Sequence, residues 1–140
     1  MGMATGATSL RLGRLLRSLA DPTRLRLLNL MTSSEVCVCY FVAILGQPQP
    51  TISRHLAHLR RAGLVTAQRQ GKWMHYRLVR GSEPSVRRLL RAVLACMAVD
   101  PAMKADRARL TQTCCGIASP ALKVTLAKAP PPAALVAEGR

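Results

Sequence analysis

Five cysteines stand in three groups along this chain: Cys37-Val38-Cys39, then Cys96, then the adjacent pair Cys114-Cys115. Thiolate sulfur is a soft donor. In a chain with no recognisable export signal, closely spaced thiols point to capture of a soft ion or to redox exchange rather than to a disulfide framework. Cys114 and Cys115 precede Gly116 in a segment expected to be flexible, so two sulfurs reach one ion with little reorganisation. Cys96 completes a three-sulfur set if the chain folds back or a second subunit supplies it. Cys37 and Cys39 form a rival pair, and a mixed set is a further alternative. The rival pair falls at the start of an expected helix, Glu35 to Leu45, where a helix N-terminus favours thiolate. Residues i and i+2 of a regular helix differ by about 200° in azimuth. Both thiols would therefore meet one ion only by distorting the helix start and pulling on whatever that helix supports. No phosphate-cradling loop and no paired acid and base accompany the cysteines, so no enzyme, organic cofactor or small-molecule substrate is expected.

A second set of residues suits a polyanion. Pro50 is well placed in a first helical turn, and Ile52, Leu56, Leu59 and Ala62 recur at helical spacing as one buried stripe before Gly63 stops the helix. The remaining positions offer Gln49, Thr51, Ser53, Arg54, His55 and His58, whose donors suit base edges and phosphates in a major groove. Leu64 to Val79 then reads as two short strands around the Gln70-Gly71-Lys72 turn, with Arg69, Gln70 and Lys72 at the tip. Between Glu35 and Glu83 there is no acidic residue, whereas Arg54, Arg60, Arg61, Arg69, Lys72, Arg77 and Arg80 fall in that interval. A solvated surface would mix both signs, so this is the footprint of a phosphate-facing surface.

The elements that must position these groups follow in order. Residues 1–9 are small and polar and are expected to be disordered. Leu10 to Leu19 forms a leucine-faced helix, and Asp21-Pro22 starts a second, strongly apolar one. Glu35–Leu45 and the Pro50 helix make a helix-turn-helix pair, and the basic hairpin is its wing. Ser82-Glu83-Pro84 opens a helix to Val99. These parts predict a mainly α fold with a β-hairpin wing, a winged helix-turn-helix, over residues 10–99. Residues 100–117 carry a weaker helix, Ala102 to Leu110, and the vicinal cysteines. Residues 118–140, rich in alanine and proline, read as a disordered tail. The net charge of +15 over 140 residues suits nucleic acid or an anionic membrane. No apolar run reaches the length of a membrane span, so a cytoplasmic protein on double-stranded DNA is expected.

The stretches Gln49-Pro50-Thr51-Ile52-Ser53-Arg54-His55-Leu56, Leu59 to Leu64 and Gly71 to Leu78, with Leu19 to Leu25 and Glu35 to Cys39 upstream, resemble the ArsR/SmtB family of metal-responsive repressors, its arsenic-sensing branch above all. The resemblance implies a homodimer built on the first and last helices of the domain. It also implies a palindromic operator, released when As(III), Sb(III) or methylarsenite binds cysteine thiolates. One departure stands out: the branch with its site on this helix carries a third cysteine where this chain has Val42. Cadmium- and lead-sensing members add cysteines from the N-terminal arm, and Met1 to Ala20 has none. The zinc branch uses histidine and carboxylate ligands on the last helix, and Pro84 to Val99 has no histidine. A thiol-based redox-sensing repressor of the same fold is the alternative.

Overall fold

A computed structural model describes residues 2–79 and 83–116. Its elements run α1 (Gly2–Leu19), α2 (Pro22–Leu30), β1 (Val36–Cys37), α3 (Val38–Leu45), α4 (Gln49–Arg61), β2 (Val65–Gln70), β3 (Trp73–Leu78), α5 (Pro84–Ala98) and α6 (Pro101–Gly116). Asp21 starts α2 by accepting the Arg24 amide on its side chain at 3.0 Å, with Pro22 in the first turn. Leu27 and Leu28 of α2, Phe41 of α3, and Ile52, Leu56 and Leu59 of α4 are fully buried. At about 1.5–3 kcal/mol for each such side chain, this cluster fixes where α4 lies.

Both helices of the helix-turn-helix are stopped by glycine. Gly46 closes α3 with φ 65 and donates its amide to the Val42 carbonyl at 3.0 Å. The short turn through Pro48 then starts α4, with Pro50 in its first turn. At the far end Gly63 (φ 77) donates to the Arg60 carbonyl and Leu64 to the Leu59 carbonyl, each at 3.0 Å. This is a Schellman stop, and it aims the chain straight into β2.

Three expectations are corrected. The helix expected from Glu35 begins only at Val38; Val36 and Cys37 are extended instead, pairing antiparallel with β3 as Val36↔Tyr76 and Cys37↔His75. The flanking valines favour a pleated, half-buried surface, and β3 offers an open edge. The wing is therefore part of a three-stranded sheet in the order β1-β3-β2. Helix α1 reaches back to Gly2, so that residues 2–9 of the segment expected to be disordered are helical. Once buried Leu15 and Leu19 hold its far end, each further residue adds a hydrogen bond without a new nucleus. Helix α6 runs on to Gly116 rather than stopping at Leu110, and Asp100 starts it by accepting the Met103 amide at 2.9 Å. Glu83 stands at the N-cap of α5; Ser82 and the tail 118–140 lie outside the described residues. None of the helices is long and apolar enough to cross a membrane, among the described residues.

A Cβ added at Gly63 would meet open space, so its cost is the left-handed backbone alone. Gly63→Ala should lower the unfolding free energy by about 1–2 kcal/mol, read by urea denaturation at fixed protein concentration. No loss would mean that the end of α4 is not held in this conformation.

Candidate nucleic-acid interface and thiol site

Cys37 is the residue before α3, with φ −69 and ψ 143, and its partner lies in the first turn. Because Cys37 is extended, the helical azimuth that separates i and i+2 does not apply, and the two sulfurs converge to 3.0 Å. The expectation that this pair meets one ion only by distorting a regular helix is therefore corrected. Two metal–sulfur bonds of about 2.3 Å span sulfurs up to about 4.6 Å apart, so the pair is already within the reach of one soft ion. The Cys39 thiol donates to the Cys37 sulfur. That hydrogen bond outweighs burial and, with the Cys39 amide, holds the Cys37 thiol below its ordinary pKa. The same bond, then burial, then the neighbouring negative sulfur push Cys39 far up. The pair is thus set to lose one proton readily and hold the second.

The strand that carries Cys37 is bonded to the wing. Glu35 accepts from Gln70 Nε2 at 2.6 Å and lies 3.3 Å from His75 Nδ1, while Phe41 of α3 meets Tyr76 of β3 edge-on at 6.3 Å. Glu35 as a wing anchor was not legible in the sequence. Its isolation as the last acid before a long basic interval was the signal.

On α4, Arg54 is exposed on the face opposite the buried stripe, with Thr51 and His58 on one flank and Ser53 and Gln49 on the other. Arg61, exposed on the same outer face, joins this group. His55 sits nearer the core, 3.8 Å from the Asp21 carboxylate. Burial first, then the charges of Arg24, Arg61 and His55, hold His58 below its ordinary pKa. At the wing, Gly71 (φ 63) opens a two-residue turn between Gln70 and Trp73. Arg69 and Lys72 are exposed there, and Gln70 is tied back to Glu35.

Residues 21–67, from the cap of α2 into β2, match the model of the bacterial regulatory protein arsR family. The chain is 52% identical over 66 residues to the arsenical resistance operon repressor of Escherichia coli strain K12, covering 46% of this chain and 56% of that one. It thus spans about half the length of that relative. Over 93 residues it is 38% identical to the "Probable mercury resistance operon repressor" of Streptomyces lividans, covering 66% of this chain and 71% of the relative. The chain belongs to the arsR family of bacterial regulatory proteins. Among solved structures, the homodimeric winged helix-turn-helix DNA-binding domain Mb0332 of Mycobacterium bovis aligns with a TM-score of 0.55 at 29% identity, over 68% of this chain and 87% of its own.

In this member of the arsR family the remaining cysteines belong to other elements, Cys96 to α5 and Cys114-Cys115 to α6. Cys96 is exposed in the last turn of α5, beside the corner where α6 begins. Cys114 comes thirteen residues after Pro101 on a continuous helix, about 20 Å along the axis. The α6 backbone therefore does not fold Cys114-Cys115 back onto Cys96 within one protomer, as a flexible segment would have. The placement of the Cys114 and Cys115 side chains lies outside the described residues. Among the described residues no three His, Cys, Asp or Glu side chains gather as a metal-holding group, and Val42, where the resemblance called for a third thiol, is buried in the core.

In a background with Cys96, Cys114 and Cys115 replaced by serine, Cys39→Ala removes the thiol donor to Cys37 and leaves burial opposed only by the weaker hydrogen bond from the residue-39 amide. The Cys37 pKa should then rise to or above the ordinary thiol value, read as ultraviolet thiolate absorbance against pH. A titration that stays where it was would show that the 3.0 Å contact does not set the acidity of Cys37.

Proposed function

We propose that this chain is a homodimeric transcriptional repressor that holds operator DNA through α4 and the wing and lets go when a trivalent metalloid bridges Cys37 and Cys39. The observation that carries the reading is the 3.0 Å separation of the two sulfurs at the joint between β1 and α3. In this reading each thiol gives up its proton and forms one bond to arsenic. Two arsenic-bound hydroxyls leave as water, and the oxidation state is unchanged. The third valence keeps its hydroxide, or the carbon of a methylated arsenical. That two relatives are named for arsenical and mercury resistance fits a soft, sulfur-seeking inducer. Replacing a hydrogen-bonded pair by a rigid dithiolate changes the angle between β1 and α3. Strand β3 and α4 hang from those two elements, and their spacing must match neighbouring grooves of the duplex.

Membership of the family supports the DNA-facing roles of Gln49, Thr51, Ser53, Arg54 and His58 on α4 and of Arg69, Gln70 and Lys72 on the wing. His55 is the least outward of the set. Exposed Leu12 and Leu16, one turn apart on α1, supply an apolar face suited to a second copy. The geometry also fits closure of a Cys37–Cys39 disulfide, so a redox-sensing repressor is the competing reading.

Two measurements test this with a duplex enriched from a random pool by the wild-type protein. Under anaerobic, reducing conditions arsenite should release the wild type and the Cys96/Cys114/Cys115→Ser variant alike, while Cys37→Ser/Cys39→Ser stays bound. Release of the latter but not the former would move the site to the other three thiols, and no response to arsenite at all would favour the redox reading. Binding should also weaken steeply with salt, with a log–log slope of about −0.9 per phosphate contacted; a slope near zero would contradict the phosphate-facing assignment.

A further inference from the structure

Helix α6 meets the rest of the chain through a stripe in which polar groups alternate with apolar ones. Met103, Asp106, Arg107 and Leu110, at i, i+3, i+4 and i+7, face α2 and α3. Asp106 is only 2% exposed, and Arg26 of α2 grips its carboxylate with two hydrogen bonds, 2.7 Å and 2.9 Å. Asn29, fully buried on α2, donates to the Met103 carbonyl at 3.0 Å and accepts from Arg107. A buried polar lattice of this kind adds little net stability compared with an apolar seam, but it admits one register and penalises every other. The placement of α6 on α2 is therefore fixed along the axis as well as around it.

That fixed placement delivers one group to the reading head. Arg109, one turn beyond Asp106, donates from Nη1 to the Ile44 carbonyl at 3.3 Å. Ile44 lies in the last turn of α3, where carbonyls have no partner within the helix and the helix dipole favours a cation. The next residues are Gly46, whose left-handed turn sets the angle between α3 and α4, and Gln47, which donates to Thr23 Oγ1 of α2 at 3.1 Å. The corner of the helix-turn-helix is thus pinned from two sides, by α2 through Gln47 and by α6 through Arg109.

We propose that α6 is a positioning strut for the recognition helix and that Arg109 is the positioning residue through which it acts, holding the α3–α4 corner at the angle that operator recognition needs. The proposal rests on the operator-binding reading above and goes beyond it by giving the segment after α5 a role in DNA discrimination. Arg109 is exposed over most of its length, so replacing it does not empty the core. Lys104, on the opposite face of α6 and exposed, provides a control that removes the same charge without touching α3.

The test compares the full-length wild type, Arg109→Gln and Lys104→Gln for affinity toward a duplex enriched by the wild type and toward random-sequence duplex of equal length. Arg109→Gln should cut the ratio of the two affinities by about fivefold, the scale of one ordinary net hydrogen bond, while Lys104→Gln leaves the ratio unchanged. Hydrogen exchange at the Gly46 amide should quicken in Arg109→Gln alone. An unchanged ratio in Arg109→Gln overturns the strut. So does an equal fall in both variants, which would report lost charge. If the wild type itself enriches no duplex, the operator reading fails first, and the strut with it.

Discussion

Two backbone pairings, Val36↔Tyr76 and Cys37↔His75, join the wing to the start of α3, and much of the candidate mechanism follows from them. Without them the β2–β3 hairpin would be a two-stranded appendage, a unit of marginal stability on its own. With them it becomes part of a three-stranded sheet whose first strand, β1, runs directly into the helix-turn-helix. The same pairings hold Cys37 extended, and only an extended Cys37 lets its sulfur lie beside that of Cys39. The geometry that makes a thiol pair and the geometry that aims the wing are one feature of the backbone, so a change at the sulfurs is a change at the wing.

Charge is distributed with similar economy. Of the chain's six acidic residues, five lie among the described ones, and each has a structural partner. Asp21 caps α2 and faces His55. Glu35 holds Gln70 and His75, and Glu83 pairs with Arg11. Asp100 caps α6, and Asp106 is buried against Arg26. Burial works against the charged form of Asp21, yet the Arg24 amide and charge outweigh it and keep its carboxyl below the ordinary range. Among the described residues no acid is left to neutralise Arg54 and Arg61 on α4 or Arg69 and Lys72 on the wing. An excess of cations on that face is the residue of how the few anions are used, and a polyanion is its natural complement.

The winged helix-turn-helix was legible because its signals are local. The apolar stripe of α4, Pro50 in its first turn, and the glycines at 46, 63 and 71 each fix a backbone choice within a few residues. Two parts were not legible, for different reasons. Strand β1 was read as helix because Val36 and Val38 are apolar at any period, and the partner that decides between helix and strand lies some forty residues on, in β3. Helix α6 was read as short and weak because periodicity looks for an apolar stripe, and half of the stripe that α6 buries is Asp106 and Arg107. A polar docking face gives no hydrophobic rhythm even when it specifies its partner closely. The cysteines illustrate both problems. Sequence favoured Cys96 with Cys114 and Cys115 on the assumption of a flexible linker, whereas the backbone there is helical. It set Cys37 and Cys39 second on the assumption of a regular helix, whereas the helix starts one residue later than the first thiol.

Val42 gives the last constraint on the thiol pair. It lies three residues beyond Cys39 on α3, is buried in the core, and offers no donor. Under the proposed reading a trivalent ion at Cys37 and Cys39 therefore keeps one valence for a group the protein does not supply. Hydroxide fills it for arsenite and a carbon for a methylated arsenical. Beside residues as buried as Cys37 and Val42 the second leaves nothing unsatisfied, whereas the first leaves a hydroxyl needing a hydrogen-bond partner or a route to solvent. Burial of Cys37 and the apolar filling at Val42 thus act together. Under the proposed reading they would make the site a two-donor clamp that favours inducers arriving with the third position already occupied by an apolar substituent.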